Sequence, residues 1–281
     1  MGWNWFKRKR YEGLVKNKKV KLGIAFGGGG ARGIAYIGVL KAFEELGVKI
    51  DYISGTSIGA LVGSLVAYGK DSAFLEEAIK TIRMKDIRNS KLIWKPSHAK
   101  NIENILLKFF EKDVMFSELK TPFVAVCTDI KTGKEARIDA GSVAKAVSGS
   151  CAVPGVFTPV EYGEMNLVDG MLTNNVPADV VRGMGANIVI AIDLHENRGA
   201  GTGSTKLLPV LSSSLGVLLQ TNVDAKMRFA DIVISPNLER FSSTKIEEID
   251  AMIAEGYKSI MDRKDDIIKI LSKRPKKKKY E

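Results

Sequence analysis

The sequence predicts an α/β protein whose largely parallel sheet lies between helices, and three observations carry that expectation. Short apolar runs alternate with stretches of helical periodicity from residue 20 to residue 271. The runs are β-branched and continuously apolar, which suits strands buried on both faces. Two glycine-rich turns, Gly27-Gly28-Gly29-Gly30-Ala31-Arg32-Gly33 and Gly55-Thr56-Ser57-Ile58-Gly59, each follow a strand-like run and open a helix-like one.

Taken in order, strands are expected at 20–26, 52–55, 123–128, 136–138, 165–168, 188–193 and 232–235. Helices are expected at 32–45, 57–68, 72–84, 99–110, 143–148, 176–184, 207–229 and 246–271. Gly47 and Gly69 stop the first two helices, because glycine takes the left-handed C-terminal conformation freely. Asp71 is placed to cap the third helix and Ser97 the fourth. The glycine- and serine-rich stretch 197–205 reads as a mobile surface loop. Pro275 ends any helical continuation, so residues 276–281 read as disordered.

The formal net charge is +11, yet it sits at the ends. Residues 1–21 hold eight Lys/Arg against Glu12, and residues 273–281 hold six against Glu281, which leaves the body close to neutral. A basic face for nucleic acid is therefore not indicated. The distribution points to an anionic membrane surface met by basic arms. Trp3, Trp5 and Phe6 beside Lys7-Arg8-Lys9-Arg10 suit an interfacial anchor, the alternative being a solubilising tail. No apolar segment follows that cluster as a signal peptide requires, and no run is long enough to span a bilayer. The expected division is a basic, aromatic arm over 1–19, a catalytic domain over 20–272 and a basic tail over 273–281. The expected location is cytoplasmic, at the inner membrane face. Cys127, Cys151, His98 and His195 show no clustered spacing, so neither a disulfide framework nor a structural zinc site is expected.

The second turn matches G-x-S-x-G. A serine on a tight strand-to-helix turn projects its oxygen at the positive end of the following helix, and Gly55 and Gly59 let neighbouring chain approach. The plainer reading is a βα turn with a helix-capping serine. The first turn concentrates backbone N–H groups at a helix start, a place for an anion, with Arg32 adding positive charge beside it. In acyl transfer that place is an oxyanion hole. The rival is a dinucleotide loop, since Gly28 to Gly33 satisfies G-x-G-x-x-G, with Asp51 as the acidic partner. Asp51, however, sits at the start of the next strand. Serine needs a base. His98 reads as a surface residue. His195 follows every candidate acid in the chain, as a Ser–Asp–His order requires. Asp169, ending an apolar run before Gly170, is the other candidate; turn aspartates are common.

Four blocks in order now resemble one family, the bacterial patatin-like phospholipases. They are the loop Gly27–Gly33, the serine motif around Ser57, the stretch Ser148-Gly149-Ser150-Cys151-Ala152-Val153-Pro154, and Asp169-Gly170 with Asn174-Asn175-Val176-Pro177 following. The resemblance covers roughly residues 20–195. It departs at Phe26, where the family often has aspartate. It implies a modified α/β-hydrolase, a three-layer α/β/α sandwich, acting on phospholipids or other acyl esters without a cofactor or metal. It further implies a Ser57–Asp169 dyad without histidine and an oxyanion hole from Gly28, Gly29, Gly30 and Ala31. Arg32, Gly55, Gly59 and Gly170 would support the site. A lipid-binding scaffold without turnover is the third alternative.

Overall fold

The structure is a computed structural model and describes residues 20–82, 87, 96–195 and 223–272, with scattered positions between 205 and 220. The basic arm, the tail and the loop at 197–204 lie outside the described residues.

Eight strands form one sheet among the described residues. They are β1 (Leu22–Phe26), β2 (Tyr52–Thr56), β3 (Phe123–Asp129), β4 (Lys134–Ile138), β5 (Val160–Tyr162), β6 (Met165–Asp169), β7 (Ile188–Ile192) and β8 (Ile232–Ile234). Five run parallel in the order β3-β2-β1-β7-β8. All residues of β1, β3 and β7 are buried, as continuous apolar runs require.

The other end of the sheet is antiparallel. β4 runs along residues 125–129 of β3. β2 covers 123–126 and β6 covers 127–129. Both overlap β4, so both occupy the opposite edge of β3 and lie end to end. Thr56 stands opposite Val126 and Asp169 opposite Cys127. The last residues of β2 and β6 therefore meet. The short strand β5 was not anticipated; it hairpins onto β6 through Gly163, whose φ of 59° suits a tight two-residue turn.

The helices are α1 (Ala35–Glu45), α2 (Ile58–Tyr68), α3 (Ser72–Thr81), α4 (Lys100–Phe110), α5 (Val143–Ser150), α6 (Ala178–Gly183), α7 (Ile249–Met261) and α8 (Lys264–Ser272). On one face, Ile24, Phe26, Ile53, Ala125 and Ile190 pack with α1, α2, α5 and α7 in the main core. On the other, Ala25, Val189 and Ala191 pack with Val181 of α6 and Val223. The result is a three-layer α/β/α sandwich.

Several boundaries differ from the sequence reading. The first helix opens with a 3-10 turn, Gly30–Ile34, because Arg32 N bonds back to Gly29 O. The sixth starts at Ala178, with Pro177 as its N-cap. Ser97 does not cap α4; the N-cap is Ala99, and Ser97 N donates to Val156 O. The stretch 246–271 is two helices. Residues 262–266 are all charged, so that turn has no apolar side to bury, and the chain restarts at Lys264. Of the helix expected over 207–229, about half lies outside the described residues; positions 210, 214, 216, 217, 220 and 223–227 are helical, and 228–229 form a turn.

Candidate active site

Ser57 follows β2 as the N-cap of α2, with φ 55° and ψ −126°. A non-glycine residue with such a φ costs about 1–3 kcal/mol, and it persists only where its surroundings enforce it. The enforcement is visible. A Cβ on Gly59 would strike the carbonyl of Phe26, and one on Gly55 the carbonyl of Gly59, so β1, β2 and α2 meet backbone to backbone. Ser57 makes no side-chain cap hydrogen bond. Its partly exposed hydroxyl is therefore not spent on the helix, contrary to the plainer reading.

Asp169 is 0% exposed. Its Oδ1 accepts the Met171 amide at 2.9 Å, and its Oδ2 is buried with no partner in hydrogen-bond geometry. Burial pushes the carboxyl from its ordinary 3.8 up to about 7, opposed by the Met171 amide and the Ser57 hydroxyl, both of which favour the carboxylate. The adjacent ends of β2 and β6 on β3 place Ser57, the residue after Thr56, next to this carboxyl. Cys127 and Cys151 flank it as free, buried thiols. Burial, then the charge of Asp169, pushes both thiols far above their ordinary range, so they stay protonated and inert.

The segment after Asp169 stitches the site together. Asn174 O accepts the Thr56 hydroxyl at 2.7 Å, Pro177 O the Ser54 hydroxyl at 2.8 Å, and Asn175 O the Gly28 amide at 3.0 Å. A Cβ on Gly28 would collide with Asn175 Oδ1 and lie 3.3 Å from Ser57 Cβ, so the glycine loop passes directly by the serine.

Two features of the loop differ from expectation. The Gly28 amide is taken by Asn175 O, and the Ala31 amide by Ser243 O at 2.8 Å. Of the four expected donors, only Gly29 and Gly30 keep amides without an acceptor among the described residues. The Arg32 side chain does not supply a charge to this place. Its Nε donates to Phe241 O at 3.0 Å and Nη2 to Glu239 O at 3.4 Å, clamping the segment before α7.

The alternatives fare differently. Asp51 lies at the other end of the sheet, where its carboxylate accepts the Leu22 amide and pairs with Lys21 Nζ, both at 3.1 Å. It cannot meet a ribose held at the glycine loop. His98 is exposed. His195 leaves the sheet after β7, two strands from β2 with β1 between, about 10 Å of sheet. Its backbone amide donates to Asp193 Oδ1 at 3.0 Å. Among the described residues no group of His, Cys, Asp and Glu could hold a metal ion. No described helix is long and apolar enough to cross a membrane.

Ser57 opens on a cavity of about 220 Å³. Ile58, Leu61, Val62 and Leu65, one stripe of α2, form a wall, with Leu75 and Ile102 from α3 and α4. No charged residue lines it among the described residues. Sequence reading did not find this cavity, because its walls come from helices that look like ordinary core.

Solved structures share the fold, and a family model gives the family. The chain is similar in fold to VipD from Legionella pneumophila, with a TM-score of 0.62 at 15% identity over 88% of this chain and 67% of that one. It is also similar to human GIVD cytosolic phospholipase A2, with a TM-score of 0.54 at 11% identity over 95% of this chain and 63% of that one. A family model described as patatin-like phospholipase matches residues 24–182, and the chain belongs to that family. Relatives include an uncharacterized NTE family protein of Mycobacterium bovis, 29% identical over 84% of this chain and 45% of its own length. Patatin-like phospholipase domain-containing protein 7 of Mus musculus is 36% identical over 62% of this chain and 13% of its own length. The chain thus spans less than half the length of these relatives.

Proposed function

We propose that this protein is a lipid acyl hydrolase that cleaves acyl esters through Ser57 and Asp169. One observation carries the reading: a strained, uncapped serine hydroxyl stands beside a buried carboxyl raised to about 7, at the mouth of an apolar cavity. Ser57 Oγ attacks the ester carbonyl carbon and its proton passes to the Asp169 carboxylate. The carbonyl oxygen, now an oxyanion, is held by the Gly29 and Gly30 amides. The tetrahedral intermediate collapses, the leaving alcohol takes the proton from Asp169, and the acyl group stays on Ser57. Water then attacks the acyl-enzyme, again giving its proton to Asp169, and as the fatty acid leaves Asp169 returns that proton to Ser57 Oγ, which restores both groups. Each step uses the chain's own groups and water.

The apolar cavity receives the acyl chain, which makes phospholipids and related acyl esters the substrate class. Residues 20–272 form the catalytic part in this reading. The basic ends hold it against an anionic membrane surface, on the cytoplasmic side. A lipidomic hydrolysis screen of wild type against Ser57→Ala tests the proposal: fatty acid release is expected from the wild type only. Lipid binding with no release by either protein would favour the scaffold reading.

A further inference from the structure

We infer that Ser150 is a positioning residue for the nucleophile, acting as a hydroxyl spliced into the hydrogen-bond ladder between β2 and β3. The inference rests on the reading of Ser57 given above.

The ladder defines what is unusual. Ile53, opposite Phe123, donates its amide to Pro122 O at 3.0 Å, one residue before its partner. A parallel ladder repeats this rung every second residue. The rung for Gly55 therefore ends on Val124 O, and the rung for Ser57 on Val126 O. The Ser57 amide instead donates to Ser150 Oγ at 2.9 Å, and Ser150 Oγ donates to Val126 O at 2.5 Å. One hydroxyl stands between an amide and the carbonyl it would otherwise meet.

Ser150 suits this task. It is the last residue of α5 and is 0% exposed. It uses both functions of its hydroxyl, accepting once and donating once. The same Val126 carbonyl also marks the aspartate side, because a Cβ on Gly170 would collide with it. Ser150 thus sets the nucleophile's backbone by reference to the carbonyl against which the Asp169-Gly170 turn is pressed.

Bridged by a hydroxyl at 2.9 and 2.5 Å, the Ser57 amide and Val126 carbonyl stand farther apart than the about 3 Å a direct rung needs. Without the hydroxyl, either both stay unpaired or Ser57 is drawn into the ladder by about 1 Å or more. A shift of that size moves Oγ off line for attack, and a 1 Å misplacement alone can cost about 100-fold. The acyl cavity is untouched, so substrate binding is not the quantity affected.

The test compares wild type with Ser150→Ala and Ser150→Cys; the alanine removes the hydroxyl, and the somewhat larger cysteine fills its place with a weak hydrogen-bonding group. Readouts are kcat and KM on p-nitrophenyl butyrate, the rate of fluorophosphonate labelling, and hydrogen exchange of the Ser57 amide by NMR. Both variants are expected to lose about 100-fold in kcat with KM within about twofold, to label more slowly by a similar factor, and to lose Ser57 amide protection. Wild-type kcat and labelling in either variant overturn the inference, as does a loss carried by KM alone. If Ser150→Ala does not fold, Ser150→Cys decides on the same readouts. If the wild type neither hydrolyses nor labels, the reading of Ser57 fails, and amide exchange still decides the splice: unchanged protection at Ser57 overturns it.

Discussion

Thr56 and Asp169 occupy consecutive places on one edge of β3, opposite Val126 and Cys127, although they end strands far apart in the chain. The arrangement brings the residue after Thr56 against a carboxyl that is fully buried and raised to about 7. A base must be ionised to accept a proton, so kcat/KM should rise about tenfold per pH unit below 7 and level off above it. In His195→Ala the same limb should persist with most of the activity. Loss of activity comparable to that of Ser57→Ala would instead make His195 the base.

Stability has the opposite sense. The folded pKa of Asp169 lies above its ordinary 3.8, so the native state binds this proton more tightly than the unfolded chain. The stabilisation is fully present below about pH 4 and is lost as pH rises through 7, on the order of 4 kcal/mol. Asp169→Asn removes the titration. Its melting temperature relative to wild type should therefore climb between pH 5 and pH 8; a constant difference across that range would contradict the assignment.

Gly28 and Asn175 offer a double-mutant test of the loop. A Cβ on Gly28 would meet Asn175 Oδ1. Gly28→Ala should lower kcat by about 100-fold, comparable to losing an oxyanion donor. Asn175→Ala alone should cost less, since the backbone bond between Asn175 O and Gly28 N remains. The two together should be better than Gly28→Ala alone, because truncating Asn175 removes the collision. Simple additivity of the two losses in an ester assay would argue against this contact.

Leu61 stands one helical turn beyond Ser57 on the cavity wall and is partly exposed. Leu61→Trp should fill the cavity close to the serine while leaving room for a short acyl group. The ratio of kcat/KM for octanoate over acetate p-nitrophenyl esters should fall about tenfold or more. An unchanged ratio would place the acyl chain elsewhere.

Deleting residues 1–19 should weaken binding to phosphatidylserine-containing vesicles, and added salt should weaken the intact chain's binding likewise. Turnover of a soluble ester should stay within about twofold. Binding indifferent to both changes would remove the proposed role of the basic arm.

The fold class was legible because the strands are continuously apolar and the turns between them carry glycines that backbone contacts require. Gly59 is one: the carbonyl of Phe26 leaves no room for a side chain. The antiparallel end of the sheet was not legible. Nothing in Met165–Val168 tells which way it pairs, and β5 has only three residues. Ser150 lay within a stretch singled out for its resemblance, but its bond to the Ser57 amide depends on α5 ending beneath the β2–α2 turn. Arg32 looked like an active-site charge because the loop was read without the 239–241 segment that absorbs it. The cavity was hidden for a different reason, since a wall of isoleucine and leucine has the same pattern as a core.

The central claim is that the hydroxyl of Ser57 attacks acyl esters with Asp169 as its base. Mass spectrometry of the protein after reaction with a fluorophosphonate tests it most directly. The adduct should lie on the peptide carrying Ser57, and it should be absent in Ser57→Ala and strongly slowed in Asp169→Asn. An adduct on another residue, or labelling that persists at the wild-type rate in either variant, would contradict the account.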